Sequence, residues 1–260
     1  MSVWNPKLGR FEVYAKVEIV GMGDWTTLGE PNQQRVIQRF ASISGPIKVD
    51  PERYFYTRSR AVSAYEKHGL NDNGDGFEHV ELASRFPTFI GAGRYLDHAN
   101  DDPKKTFGII VDAVYHQDAG WVEVFSIYER GIPKDDHHPM SSDELIDGIK
   151  TGKITDVSMG CLVSEAICTL CGNKATTPWE YCGHVLLYKG LPVMNDKSEV
   201  RIAGEINRGV TFFELSDITT VGADRDAKHL QHFASSGTKN SVLSSVVDRR
   251  RELAVQLARA

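Results

Sequence analysis

The four cysteines of this 260-residue chain all lie in one short stretch of the sequence. A disulfide framework spreads its bridges across a fold, whereas a metal site clusters its ligands, so the pattern favours a metal site in a reducing compartment. Cys168 and Cys171 form a Cys-x-x-Cys pair, and Cys182 and His184 form a second pair around a glycine, which permits a tight geometry. Four such donors suit tetrahedral zinc, and a closed set of four is structural rather than catalytic. We therefore predict a structural zinc knuckle inserted at residues 161–190.

The stretch before this knuckle predicts a helix followed by a strand. Ser141 or Ser142 can cap the helix, and a glycine ends it. The strand carries Ser158, with Gly160 two positions later; Cys161 follows and is expected in the core rather than among the metal ligands. A strand holds a hydroxyl rigidly and a glycine leaves amide N–H groups accessible, so Ser158 is a candidate nucleophile. Most strand serines have no chemical role, and the pattern alone also allows that interpretation.

Alternating and β-branched segments predict that much of the remaining chain is β-structure. The expected strands are 11–19, 54–65, 107–115, 121–128, 200–206 and 211–215, and a helix is expected over 31–43. Residues 235–241 have the composition of a linker, and 242–260 have the pattern of an amphipathic helix that could dock on the core or on a partner. We therefore predict one domain over residues 1–234, followed by this linker and C-terminal helix.

The composition limits the kinds of partner. The net charge of −5 argues against a dedicated nucleic-acid binder, which would usually be basic. No apolar run approaches the length of a membrane span, and the N-terminus lacks the apolar region of a signal peptide. The sequence therefore predicts a soluble cytoplasmic protein with no membrane partner and no direct nucleic-acid partner.

Three further patterns invite a metal or catalytic interpretation. A calcium loop beginning at Asn71 would need a glutamate at its last position, where this chain has a leucine, so we expect a turn instead. His98 lies where a short extended segment leaves for a loop, a suitable place for a base with partial solvent access. Asp97 would point to the opposite face of an extended backbone and is a poor partner for His98. His137 and His138 lie on a proline-containing loop, where adjacent histidines are usually solvated.

A set of motifs follows in a specific order over roughly residues 54–227. They are NDNGDGFEHVEL, YLDHANDDPKKTFGIIVDAVY, ELIDGIKTGKITDVSMGC, CTLCGNKATTPWEYCGH and INRGVTFFELSDITTVGADRDA. In this order the chain resembles the capsid maturation (prohead) proteases of tailed bacteriophages, especially those of large myovirus-like phages with a cysteine knuckle. That family is related in fold to herpesvirus assemblin-type serine proteases. The resemblance implies an α+β fold with a compact, mainly antiparallel, barrel-like β core wrapped by helices.

The resemblance also implies a catalytic triad. The histidine of the family's DH motif matches His98, and the serine of its VSMG motif matches Ser158. The family's E-x-S-x-[VI] strand motif places the third member at Glu214, with Asp217 and His184 as alternatives. His184 already has a place in the predicted knuckle, which counts against it. The family's usual Pro-Ala-Asp after this strand is Gly-Ala-Asp at 222–224 here, a departure that affects a turn.

The implied activity is that of a serine endopeptidase. Ser158 would attack a peptide carbonyl, and backbone N–H groups near Met159 and Gly160 would hold the oxyanion. The implied substrates are phage scaffold and major capsid proteins, together with the chain itself, inside the immature capsid in the host cytoplasm. Self-association is also compatible with the sequence.

Two other functions fit the residues less well. A non-catalytic, zinc-stabilised capsid-assembly or scaffold factor would use Ser158 and His98 only structurally. A metal-dependent hydrolase would need His98, Asp97 and His137 or His138 as ligands, but these residues lack the helical spacing of the known metalloprotease motifs.

Overall fold

The structure is a computed structural model that describes residues 2–5, 10–13, 53–194 and 198–233. The strands are β1 Ser2–Asn5, β2 Arg10–Val13, β3 Tyr54–Ser63, β4 Asp75–Gly76, β5 Gly93–Leu96, β6 Gly108–His116, β7 Trp121–Glu129, β8 Asp156–Val163, β9 Glu165–Cys168, β10 Lys174–Ala175, β11 Pro192–Met194, β12 Val200–Ile202, β13 Glu205–Arg208, β14 Thr211–Ile218 and β15 His229–Phe233. The helices are α1 Tyr65–His68, α2 His79–Arg85, α3 Ser142–Thr151 and α4 Gly183–Tyr188, with short 3-10 helices at Phe86–Phe89, Pro103–Lys105 and Pro178–Glu180. The predictions over 14–19, 31–43, 235–241 and 242–260 lie outside the described residues.

The largest element is a sheet in which the described residues contribute nine strands, ordered β1-β2-β8-β14-β5-β6-β7-β3-β15. The pairing of β14 with β5 is parallel, and the other neighbours are antiparallel. The sheet is therefore mixed, and it curls into a half-barrel. Helices are few in the described part of the chain, so the predicted α+β class with a mainly antiparallel β core is confirmed at this level.

Two smaller sheets lie beside the large one. The first has the order β10-β9-β13-β4, and the second is the hairpin of β11 and β12. The chain passes from β8 in the large sheet to β9 in the second sheet at Ser164, whose N–H donates to the Arg208 carbonyl. The cysteine-rich stretch thus begins where the chain leaves the large sheet.

Helix α3 forms as its sequence predicts. The Ser141 side chain accepts from the backbone N–H of Glu144, and the Glu144 side chain accepts from the backbone N–H of Ser141, which completes a capping box. Gly152 ends the helix in the left-handed conformation, with φ 70°. Leu145 and Ile149 are buried, so the helix packs its apolar face on the core and leads directly to β8.

One predicted strand is wrong. Residues 200–206 form two strands, β12 and β13, that belong to different sheets. Ala203 and Gly204 separate them, and a Cβ added to Gly204 would lie 2.5 Å from the carbonyl oxygen of Gly74. Alternation of apolar residues is a local signal and does not show where one strand passes from one sheet to another.

The side chains of β8 alternate between the apolar core and the opposite face of the sheet. Val157, Met159 and Cys161 are buried in the main apolar cluster together with Leu215 of β14. Because successive side chains of a strand point to opposite faces, the residues between them, among them Ser158, lie on the other face. The prediction that Cys161 is a core residue is confirmed. None of the described helices has the length and apolar character needed to cross a membrane.

Candidate active site and metal cluster

His98 and Glu214 are joined by a short hydrogen bond, with 2.6 Å between Nδ1 and Oε1. The Glu214 side chain is fully buried on β14, whereas that of His98 keeps 21% of its exposure. Ser216, two residues further along β14, donates its hydroxyl to Glu214 Oε2 at 2.6 Å. Both carboxylate oxygens therefore have partners, and an ionised carboxylate requires that His98 Nδ1 carries the proton.

Three neighbouring strands bring the predicted residues together. Strand β14 pairs with β8 on one side and with β5 on the other. Their registers align two rows of residues across the sheet, Tyr95–Ser216–Ser158 and Gly93–Glu214–Gly160. Because the rows are two residues apart on each strand, all six residues lie on the same face. Ser158 thus lies beside the residue that holds Glu214.

Ser158 is close to these groups but is not bonded to His98. Its side chain is nearly buried, with 7% of the residue exposed. Among the hydrogen bonds of the described residues, none joins Ser158 Oγ to His98. Catalytic hydrogen bonds are often long in free enzymes and shorten when substrate binds, so the lack of this bond among the described residues is compatible with a nucleophile and its base.

Gly160 leaves the space that the Glu214 carboxylate occupies. A Cβ placed on Gly160 would lie 2.7 Å from both Cγ and Oε1 of Glu214 and 2.8 Å from the Phe213 ring. Real Cβ atoms do not approach heavy atoms this closely, so any larger residue would displace the carboxylate. The oxyanion role of the Met159 and Gly160 amides stays a prediction, and the Met159 side chain lies in the core.

The backbone at His98 adopts an unusual conformation. The sequence predicts an extended segment up to His98, but β5 ends at Leu96, and Asp97 and His98 have φ values of 47° and 60°. Residues other than glycine rarely adopt positive φ, and such strain concentrates at functional sites. The Asp97 carboxylate holds this turn, since it accepts from the Thr219 N–H at 2.8 Å and from the Thr219 hydroxyl at 2.7 Å. Asp97 therefore binds the end of β14 rather than His98.

Asp217, an alternative for the third triad member, has other partners. Arg94 Nη2 donates to its carboxylate, and so do the Tyr128 hydroxyl at 2.9 Å and His229 Nε2 at 2.9 Å. Burial alone would raise the pKa of Asp217, but the Arg94 charge and these donors outweigh burial and hold the pKa below its usual value. The alternation of β14 places Asp217 on the face opposite Glu214, so it serves this buried network.

Tyr95 is a residue that the sequence reasoning missed. Its ring covers Gly93, where an added Cβ would lie 2.6 Å from Tyr95 Cε2. Burial raises the pKa of Tyr95 to about 12, and the negative charges of Glu214 and Asp102 add to the effect. A neutral phenol therefore faces the site at neutral pH. The i, i+2 spacing of Gly93 and Tyr95 places them on one face, but only the register of β5 against β14 places Tyr95 beside Ser216.

The four predicted metal ligands converge at one point. The donor atoms of Cys168, Cys171, Cys182 and His184 all lie within 4.8 Å of one another. The two sulfurs of Cys171 and Cys182 are 3.5 Å apart, and the sulfurs of Cys168 and Cys182 each lie 3.9 Å from His184 Nδ1. Tetrahedral coordination at ordinary zinc distances separates its ligand atoms by about 3.6–3.8 Å. The donor set therefore fits a bound metal ion.

Local structure explains how these donors are presented. Cys168 ends β9, and Gly172 turns the chain after Cys171 with φ 71°. Cys182 is the N-cap of α4, and His184 lies in its first turn. Gly183 between them is not required for this geometry, because it has no positive φ and its Cβ would meet nothing within 4 Å. The expectation that this glycine permits a tight turn is therefore wrong; the helix start itself brings the two ligands together.

The thiols of the cluster differ in their ease of ionisation. Burial raises the pKa of Cys168 to about 11. At Cys182 the backbone N–H groups of Val185 and His184 and the neighbouring thiols outweigh burial, and the pKa lies below its ordinary value. A helix N-terminus favours the thiolate, the form that binds a metal.

The other candidate metal ligands stay apart in the described parts of the chain. Cys168, Cys171, Cys182 and His184 are the only group there that could hold a metal ion. Asn71 caps its own turn, accepting from the N–H groups of Asn73 and Asp75 at 3.0 and 2.9 Å, as expected for a turn. His137 and His138 pair with Asp102 and Asp135, respectively. The geometry thus favours neither a calcium loop nor a catalytic metal at His98.

Comparison with known proteins gave no match, whether with family models, with curated proteins or with solved structures. The function is therefore inferred from the residues and their geometry.

Proposed function

We propose that this protein is a serine endopeptidase of the capsid-maturation type, with Ser158 as nucleophile, His98 as general base and Glu214 as the residue that orients it. The observation that carries the proposal is the 2.6 Å bond between His98 Nδ1 and Glu214 Oε1 on the sheet face that also presents Ser158. A Ser-His-acid triad consists of a buried carboxylate, a partly exposed imidazole and a serine. Glu214, His98 and Ser158 supply these three groups.

Each residue has a definite task in this mechanism. The Ser158 hydroxyl attacks a peptide carbonyl, and His98 takes its proton and later delivers it to the leaving amine. Glu214 fixes the imidazole tautomer and stabilises the imidazolium, while Ser216 holds the second oxygen of Glu214. Amides near Met159 would hold the oxyanion, a contribution of about 3 kcal/mol for each donor.

The family resemblance supports the choice of substrate. Scaffold and major capsid proteins inside the immature capsid are the proposed substrates, and the chain's own C-terminal linker at 235–241 is the proposed site of self-cleavage. Proteases most readily reach exposed polar segments, and residues 235–241 have the composition of a linker.

We also propose that the metal is zinc and that its role is structural. Cys168, Cys171, Cys182 and His184 would occupy all four tetrahedral positions and leave none for a substrate or water. Zinc would then contribute folding energy to this part of the chain and take no part in proteolysis.

The proposal is tested with a serine-directed fluorophosphonate probe and intact mass measurement. Folded wild-type protein should gain one probe adduct at Ser158, while Ser158→Ala and His98→Ala should gain none. Ser164→Ala is the matched control, because Ser164 lies on the same chain segment but bonds to the Gly209 carbonyl. Co-expression with a scaffold protein should give cleavage with wild type and the control only.

A folded Ser158→Ala variant that still cleaves the scaffold protein would overturn the proposal. If wild type takes no probe and cleaves nothing but still binds the scaffold protein, the non-catalytic assembly factor is the better description.

A further inference from the structure

Helix α4 has little apolar contact with the rest of the molecule. Val185 is its buried residue, whereas Leu186 and Leu187 are 61% and 71% exposed. At the start of the helix, Cys182 and His184 belong to the metal cluster. Apolar packing therefore holds this helix only weakly, and polar contacts at its two ends fix its position.

The contact at the far end is made by Lys189, which directly follows α4. Its ammonium donates to Asp75 Oδ1 at 2.7 Å and also to Glu205 Oε1. Both carboxylates are buried, with side-chain exposures of 2% and 0%. Asp75 and Glu205 are directly paired across β4 and β13, so two acidic groups meet at one point and Lys189 is the cation between them.

The loop before β4 is shaped to admit this lysine. A Cβ on Gly74 would lie 2.9 Å from Lys189 Cγ and 2.8 Å from the Gly190 nitrogen. The Gly190 N–H then donates to the Ala203 carbonyl, which fixes the segment after the lysine. Removing one partner of a buried ion pair leaves an uncompensated buried charge, so the pairing of β4 with β13 depends on Lys189.

We propose that metal binding at the cysteine cluster is thermodynamically coupled to the β4–β13 pairing through Lys189. His184 and Lys189 are five residues apart, about 7.5 Å along a helix, so the two ends of α4 move together. Metal binding holds the helix, and the helix holds Lys189 between Asp75 and Glu205. Loss of the metal withdraws the lysine and loosens residues 71–77. This inference rests on the proposed metal binding and not on the proposed proteolysis.

The test uses Co²⁺ as a spectroscopic probe, since its thiolate charge-transfer band reports binding to the cluster directly. Coupling is reciprocal, so Lys189→Met should weaken Co²⁺ binding by about tenfold, within the usual range for coupled sites. Lys174→Met is the matched control, because Lys174 lies shortly after the first cysteine pair of the knuckle. Its side chain is 61% exposed and makes only a loose ion pair with Glu165, at 3.9 Å. This variant should bind Co²⁺ like wild type.

Hydrogen exchange gives a second measurement, and its first comparison needs no variant. Chelation of the metal from wild type should lower the protection of 71–77 as well as that of 165–190, while 121–129 stays protected. The metal-loaded Lys189→Met protein should already show the loss at 71–77. If that variant does not fold, Lys189→Met combined with Asp75→Asn and Glu205→Gln, which removes all three charges, takes its place and should bind Co²⁺ as weakly as expected for the single variant.

The outcomes distinguish a failure of the coupling from a failure of metal binding. Equal Co²⁺ affinity in wild type and Lys189→Met, or a loss of protection confined to 165–190, would overturn the coupling while leaving metal binding intact. Absence of a thiolate band in wild type would overturn metal binding and the coupling with it, and would leave the serine protease test unaffected.

Discussion

The hydroxyl of Ser216 donates to Glu214 Oε2 at 2.6 Å, on the same strand and two residues away. His98 occupies the other oxygen of the same carboxylate. Both oxygens of the Glu214 carboxylate are therefore held by hydrogen bonds, and Ser216 is a positioning residue for the candidate triad.

Replacing Ser216 should impair the site without unfolding the protein. Ser216→Ala removes one hydrogen bond to a buried ionised carboxylate, worth about 1.5–3 kcal/mol, so the rate of fluorophosphonate labelling of Ser158 should fall by about 10- to 100-fold. The pH profile of labelling should also shift, because the carboxylate that sets the His98 tautomer is less well held. Thermal unfolding provides the check on folding, and a labelling rate equal to that of wild type would contradict the role.

Gly160 should tolerate no side chain. In Gly160→Ala the new Cβ would lie 2.7 Å from the Glu214 carboxylate, which is held by two hydrogen bonds and cannot move without losing one of them. Labelling of Ser158 should drop at least as far as in Ser216→Ala. Gly183→Ala is a matched control, since its Cβ would meet nothing within 4 Å. Full labelling of Gly160→Ala would show that the site has more room than its geometry indicates.

Asp97 should affect the labelling of Ser158, because it holds the turn that carries His98. Asp97→Ala removes both bonds to Thr219 and releases two consecutive residues with positive φ, a conformation that costs about 1–3 kcal/mol for each residue when it is not held. We expect slower labelling of Ser158 together with a small change in melting temperature. Thr219→Val removes only the hydroxyl contact and should have a smaller effect. An Asp97→Ala variant with normal labelling and a lower melting temperature would assign Asp97 to stability alone.

Local signals predicted the parts of the fold and site that depend on one segment. The cap of α3, its glycine end and the cysteine spacing are each set within a few residues, and the structure agrees with all of them. The shared face of Glu214 and Ser216 could also be predicted, because an i, i+2 spacing on a strand places two side chains on one face.

The relationships between distant segments could not be predicted in this way. The row Tyr95–Ser216–Ser158 depends on the register of β5 and β8 against β14, and strand registers are set by the packing of the whole sheet. The left-handed turn at Asp97 and His98 has only a weak sequence signal, since Asp and His tolerate positive φ better than most residues but usually adopt negative φ. Lys189 between Asp75 and Glu205 likewise joins three segments that are far apart in the chain.

Because Asp217 is paired with Arg94 in the core, the free energy of unfolding should fall at acid pH. The pKa of Asp217 lies below its usual value in the folded protein, against about 3.9 in an unfolded chain, so the unfolded state binds more protons in this range. The stabilisation is therefore present above about pH 4 and is lost as the pH falls through the folded pKa.

Asp217→Asn should cost about 3–5 kcal/mol at pH 7, because it leaves the Arg94 charge buried and unpaired. The difference from wild type, measured by urea unfolding at pH 7, 5, 4 and 3, should shrink towards the acid end of the series. Asp147→Asn, at a position with 75% side-chain exposure, is the control and should show no such trend. A difference that stays constant down to pH 3 would mean that ionisation of Asp217 does not contribute to folding.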